Sequence, residues 1–396
     1  MRRITLLLTA IGALLVLYAG GALTQEAPQG GGTDRYIVVL NDEVNEPGEV
    51  AKGLARRYGL GVGFVYSHAL KGFSATIPDA RLDKVRAEDQ VAYVERDGMM
   101  HAFEQVLPWG INRIDADVSS TVAGNGSGEI PSINAYIIDS GVGATHADLN
   151  VVNHVNFRGD GKNTDCSGHG THVAGTVAAK DNVQDVVGVA PGAPITGVKV
   201  LGCDGTGATS GVIKGVDWVT ANAAKPAIAN MSLGGGISQS LDDAIKRSAN
   251  SGVLYSIAAG NQGQPACNYS PARAGLVDTD TNGDGKINHD DSNGIVTTAV
   301  TGFKEGEPEW SNYGKCVDIW APGVDVLSTK NGGGTTKMSG TSMAAPHAGG
   351  AGALYLSQHA GTSPLDIEKA LKAAVVVPGT ESKSGRLITR LYVGGF

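Results

Sequence analysis

Residues 133–139 read INAYIID, and this short run decides the fold class. Its apolar side chains do not alternate with polar ones, so it fits a strand covered on both faces rather than one with a wet side. It ends in Asp139, and Gly141 stands two residues on. Outward from it, similar runs recur at 194–201 (PITGVKVL), 227–233 (AIANMSL), 252–260 (GVLYSIAAG) and 316–323 (CVDIWAPG). Helical spacing appears at about 169–180, 209–224, 238–251, 342–358 and 364–374. Strands alternating with helices predict an α/β fold, a mostly parallel sheet flanked by helices, with function gathered beyond the carboxyl ends of the strands. LITRLYVGGF (387–396) reads as a last strand.

The amino-terminal third has a different pattern. RYIVVL (35–40), GVGFVYSH (61–68), KGFSATIP (71–78) and QVAYVE (90–95) read as strands, and 48–58 and 79–87 as helices. That order predicts a small ferredoxin-like α+β unit. Before it, Arg2 and Arg3 precede an apolar stretch at 4–22 that ends in small residues, the pattern of a secretory signal peptide over 1–23. An uncleaved membrane anchor is the competing reading, and the run is near the lower limit for spanning a bilayer. Residues 24–33 form a polar linker.

Composition narrows the classes of function. With 31 Lys and Arg against 39 Asp and Glu the net charge is −8, and no basic run offsets it, which argues against nucleic acid as a partner. The 58 glycines are about twice average usage and follow no collagen period, so many sharp turns or close backbone approaches are expected. Export with four cysteines, Cys166, Cys203, Cys267 and Cys316, favours two disulfides in any of three connectivities.

Three segments carry chemistry: YIIDSGV (136–142), SGHGTHVAG (167–175) and GTSMAAPHAGGAGALYL (340–356). A serine hydroxyl becomes a nucleophile when a base takes its proton, histidine suits that task at neutral pH, and a carboxylate fixes the imidazole tautomer. Ser342, His169 and Asp139 supply these three roles, and along the chain they stand in the order Asp, His, Ser. His169 is preferred to His172 because it opens the helix; His172 and His347 are expected to make structural hydrogen bonds. Ser342 at a helix start brings backbone N–H groups to a developing oxyanion, and Asn261 in AAGNQG (258–263) offers a second donor. Each residue alone also reads as a cap or turn residue.

Together these segments resemble the signatures of the subtilisin-like serine proteases, the subtilases. NMSLGGG (230–236) and SNYGKCVDIWAPG (311–323) resemble blocks of the proteinase K and aqualysin-like branch. The resemblance implies an Asp139, His169, Ser342 triad, Asn261 in the oxyanion hole, and disulfides Cys166–Cys203 and Cys267–Cys316. It implies substrate-binding strands at Gly205, Thr206 and Gly207 and at Ser232, Leu233 and Gly234. Ala258, Ala259 and Gly260 would line the pocket for the residue before the scissile bond, roomy and without a buried acid, which favours aromatic or large aliphatic side chains. Ala345 departs from the Thr or Ser common in relatives, a small-for-small change. Residues 34–103 resemble the family's inhibitor-type propeptide, acting as intramolecular chaperone and inhibitor, with the peptidase domain at 104–396. Cleavage after Phe103 fits the apolar pocket, within a window of about 99 to 106. The resulting expectation is a secreted monomer, extracellular or periplasmic and free of the membrane after maturation, that cuts protein or peptide substrates. The alternative is a catalytically inactive fold used for binding.

An insertion at about 276–293 contains DTNGDGKINHDD (280–291). Asp280, Asn282, Asp284, Lys286 and Asp291 occupy positions 1, 3, 5, 7 and 12 of an EF-hand-like loop, with Gly285 at the sharp turn. Structural calcium is expected there, as a local staple in a loop whose flanks are not helical. Gly302 stands where relatives often have an aspartate of another calcium site.

Overall fold

The computed structural model describes residues 33–97, 105–277 and 291–396. The chain divides into two compact units, Met1–His101 and Ala102–Phe396.

The first unit runs β1 (Thr33–Leu40), α1 (Pro47–Tyr58), β2 (Gly61–Tyr66), β3 (Gly72–Pro78), α2 (Asp79–Arg86) and β4 (Val91–Arg96). The strands pair antiparallel in the order β2-β3-β1-β4, the ferredoxin-like arrangement expected from the sequence. Helix α1 starts on Pro47 and stops at Gly59, which takes the left-handed conformation and returns its N–H to the Ala55 carbonyl at 2.8 Å. Ala51 and Leu54 on its inner face join Tyr36, Val38, Phe73 and Ile77 in one core.

The second unit opens with α3 (Trp109–Arg113) and β5 (Ala135–Asp139), then β6 (Val151–Asn156), α4 (His169–Ala178), β7 (Ile195–Lys199), α5 (Thr209–Asn222), β8 (Ala227–Met231) and α6 (Gln239–Asn250). It continues through β9 (Val253–Ala258), β10 (Ile295–Thr301), β11 (Ile319–Pro322), the β12–β13 hairpin (Val326–Thr329, Thr335–Met338), α7 (Thr341–Gln358) and α8 (Pro364–Ala373). Seven strands form a parallel sheet in the order β11-β10-β9-β8-β5-β7-β6. Strand β5 explains the apolar run: Ile137 packs into the core that holds α4 and α7, while Tyr136 and Ile138 pack into the core that holds α5 and α6.

Helix α7 crosses the first of these cores. Its small residues let it approach the sheet closely; a Cβ on Gly352 would stand 2.4 Å from Leu254 Cδ2. Among strands, β6, β10 and the β12–β13 hairpin are additional to those read in the sequence. The expected strand at 387–396 is not formed. Arg390 bridges Val376 on one side and Trp320 on the other, and Val393 donates to the Ile114 carbonyl, so the bonds form isolated bridges to several segments and no ladder builds up.

Candidate active site

Asp139 ends β5 with its side chain fully buried, at the carboxyl edge of the sheet. Its Oδ1 accepts from the Ser140 N–H at 2.7 Å and from His169 Nδ1 at 2.8 Å. Since the carboxylate only accepts, Nδ1 carries the proton and Nε2 is left as a base. His169 is the first residue of α4, as expected. Burial works against its protonation, but Asp139 and then Asp165 outweigh it and raise the imidazole pKa above 6.5.

Asp165 was not singled out in the sequence. It is buried, and its two oxygens accept from Ser140 Oγ (3.0 Å), Ser167 N (2.9 Å), Gly168 N (2.9 Å), Thr171 N (3.0 Å) and Thr171 Oγ1 (2.5 Å). It thus fixes the loop that delivers His169 to Asp139. An aspartate just ahead of a Ser-Gly turn was the available signal.

Ser342 lies in the first turn of α7. Its Oγ donates to the Ser232 carbonyl at 3.2 Å instead of to His169, and Ser232 Oγ donates to the Ser342 carbonyl at 2.7 Å. Asn230 Nδ2 in turn donates to Ser232 Oγ at 2.9 Å. The hydroxyl and the carbonyl of Ser342 are therefore both held by one residue of the facing segment. Asn261, just past β9, accepts on Oδ1 from Thr341 N and Thr341 Oγ1, both at 2.9 Å. That fixes the amide plane and leaves Nδ2, the donor, to the exposed side. His172 Nε2 donates to Val326 O (3.0 Å) and Thr336 O (3.2 Å), and His347 Nδ1 donates to Met343 O (2.8 Å), the structural contacts expected of them. The buried Ala345 gives its carbonyl to Ser256 Oγ at 2.6 Å.

Two adjoining cavities meet at these residues. One of about 370 Å³ is lined by Gly205, Thr206 and Gly207 on one side, Ser232, Leu233 and Gly234 on the other, and His169. The second, about 140 Å³, is lined by Ala258, Ala259, Gly260, Asn261, Tyr269 and Ser342, with no acidic side chain among its described lining residues. The disulfides are Cys166–Cys203, joining the His169 loop to the segment at 203–207, and Cys267–Cys316. Of the proposed calcium ligands, Asp280, Asn282, Asp284 and Lys286 lie outside the described residues, as does Phe103. Asp291 is buried, and its carbonyl accepts from Lys372 Nζ at 2.6 Å.

Comparison with known proteins agrees with this geometry. The profile of the Subtilase family matches residues 136–390, and that of Peptidase inhibitor I9 matches residues 35–103. The chain is 38% identical to the alkaline serine exoprotease A of Vibrio alginolyticus, over 85% of this chain and 62% of that one, so it is the shorter of the two. It is 36% identical to the extracellular serine proteinase of a Thermus species, over 83% of this chain and 76% of the relative. A solved structure of a cold adapted subtilisin-like serine proteinase matches with a TM-score of 0.61 at 37% identity, covering 72% of this chain and 98% of that one. The parallel sheet with its Asp139–His169 pair carries the first profile and the antiparallel unit the second, and the chain belongs to the subtilase family, a subtilisin-like serine protease made with an inhibitor propeptide.

Proposed function

We propose that the chain is a secreted endopeptidase working through Asp139, His169 and Ser342. The observation that carries the reading is the 2.8 Å hydrogen bond from His169 Nδ1 to buried Asp139, which sets the tautomer and leaves Nε2 facing the cleft. With substrate bound, Ser342 Oγ leaves the Ser232 carbonyl and gives its proton to Nε2 as it attacks the scissile carbonyl. Asp139 steadies the imidazolium. Asn261 Nδ2 and backbone N–H groups at the start of α7 stabilise the oxyanion. The imidazolium then protonates the departing amine, and water repeats the sequence to release the acyl group. Gly205–Gly207 and Ser232–Gly234 pair with the extended substrate, and the 140 Å³ pocket takes the side chain before the scissile bond.

That pocket has small walls and no counter-charge, so a buried guanidinium would be unpaired. Peptides with Phe or Leu at that position should exceed those with Arg or Lys in kcat/KM by about tenfold or more. Faster cleavage after Arg overturns the specificity reading. A serine-directed fluorophosphonate should add its mass at Ser342, and a label elsewhere would overturn the triad. Residues 1–23 direct export, and the I9 segment assists folding before it is removed.

Calcium in the 280–291 loop completes the proposal, supported by the twelve-position spacing. Chelation should lower the melting temperature, because an ion at a hundred times its dissociation constant contributes about 2.7 kcal/mol. An unchanged melting curve in excess chelator removes calcium from the account.

A further inference from the structure

The mechanism leaves one half-buried imidazole beside Asp139 without a role. His154 lies in β6, opposite Gly197 of β7. Its ring occupies space that two glycines leave open. A Cβ on Gly197 would stand 2.4 Å from ring Cδ2, and one on Gly141, where φ is +100°, would stand 2.9 Å from Nε2. Nδ1 meets Asn163 Oδ1 at 2.8 Å, and Nε2 meets the Val142 N–H at 3.1 Å. An amide oxygen only accepts and a peptide N–H only donates, so the ring is neutral with its proton on Nδ1.

The Val142 N–H belongs to the turn that leaves Asp139. The rest of that turn is also held by side chains: Ser140 Oγ by Asp165, the Ser140 carbonyl by Lys199 Nζ (2.8 Å), and the Gly143 N–H by Thr171 Oγ1 (2.9 Å). Of these four holds, the one at Val142 depends on an imidazole nitrogen that a single added proton abolishes as acceptor.

We propose that His154 is a positioning residue for peptide hydrolysis, its neutral ring holding the 139–142 turn so that the Asp139 carboxylate stays aligned with His169. Protonation puts an N–H against an N–H, loosens the turn and misaligns the pair. This rests on the triad reading above.

The groups facing the ring determine where that happens. Burial lowers the His154 pKa, Lys199 on β7 lowers it further, and Asn163 and Asp165 on the loop before α4 oppose them. Lys199 also stands 3.6 Å from Asp160 of that loop, and on the turn itself Asp139 is engaged by His169 and Ser140. The folded value therefore lies below 6.5, so the neutral-ring contact is complete above 6.5 and is lost as pH falls through the folded value. His169 is shifted the opposite way and takes up its proton first.

The acid limb of log kcat/KM should thus fall with slope one and steepen toward two. His154→Leu removes the acceptor and should lower kcat about ten- to a hundredfold with KM nearly unchanged. His154→Gln restores an acceptor that does not titrate; it should rescue kcat at pH 8 and keep slope one throughout. Nitrogen NMR of the histidines in the Ser342→Ala chain should show His154 protonated on Nδ1 at neutral pH, with a midpoint below 6.5. An Nε2–H tautomer, or a His154→Leu variant with the native kcat and native acid limb, overturns the proposal. Asp139→Asn hydrolysing at the native rate would overturn the triad reading beneath it, whereas the NMR result bears on His154 alone.

Discussion

Ser342→Ala should lower kcat by about 10⁶-fold and leave the I9 segment uncut. In the proposed mechanism the hydroxyl is the atom that forms the acyl bond, and the neighbouring Ser232 Oγ is already engaged with the Ser342 carbonyl. What survives is the cleft and the oxyanion donors, about 10³–10⁴ over water. Folding should be nearly untouched. The lost side chain gives up one 3.2 Å hydrogen bond to the Ser232 carbonyl, about 1 kcal/mol, while the bond from Ser232 Oγ to the backbone remains. A chromogenic peptide assay and the intact mass of the purified chain check both halves. Hydrolysis within a hundredfold of native, or a processed amino terminus, would place the nucleophile elsewhere.

The second large effect is on stability. Lys372 on α8 is ion-paired with Asp318 Oδ1 at 2.8 Å and Glu368 Oε1 at 2.5 Å, and it donates to the Asp291 carbonyl at 2.6 Å. Glu368 Oε2 also accepts the N–H groups of Asn293, Gly294 and Ile295, and Asp318 Oδ2 that of Thr297. Burial alone would discharge the ammonium, but Asp318 and Glu368 outweigh it and raise its pKa; burial raises both carboxylates in turn, and the ammonium opposes that. Lys372→Met removes the cation shared by two buried carboxylates and leaves Asp318 only the weaker influence of Arg386, a loss of about 3–5 kcal/mol and roughly 10 °C in melting temperature. A carboxyl kept protonated by burial stabilises the fold below its unfolded pKa and costs it as pH rises through the folded value, so the deficit should widen from about pH 4 to about pH 8. Calorimetry in the Ser342→Ala background avoids self-digestion. A melting temperature within about 2 °C of native would mean that the cluster contributes little.

Much of this architecture is legible in the sequence wherever burial is two-sided. Strand β5 is fully buried along its length, and its apolar run and terminal Asp139 fix both the sheet and the place of the carboxylate. Strand β6 is harder to read because it is an edge strand, paired only to β7, with polar and half-exposed positions throughout. Strand β10 is entirely buried, yet it follows the insertion at once, and Thr297, Thr298 and Thr301 interrupt its apolar run. The terminal segment misleads in the other direction, since the apolar spacing of Leu391 and Val393 reflects burial without a partner strand. In the site, the order Asp139, His169, Ser342 is visible because each residue opens or closes an element. The grip of Ser232 on Ser342 is not, because the two lie 110 residues apart and meet through backbone carbonyls that carry no residue identity. Asp165 was missed for a related reason: four of its five contacts are local, and local contacts of an aspartate look like an ordinary turn.

The Cys166–Cys203 bridge has a mechanical consequence. It welds the loop that carries His169 to the 203–207 wall of the cleft, so that wall and the catalytic base move as one stiff jaw. The opposite wall is fastened to its support by the paired Gly235 and Ser270 backbone bonds of 2.8 and 3.3 Å. Compliance is therefore one-sided. A bulky substrate should be accommodated at 234–236, held by hydrogen bonds alone, rather than by the disulfide-bonded wall beside His169.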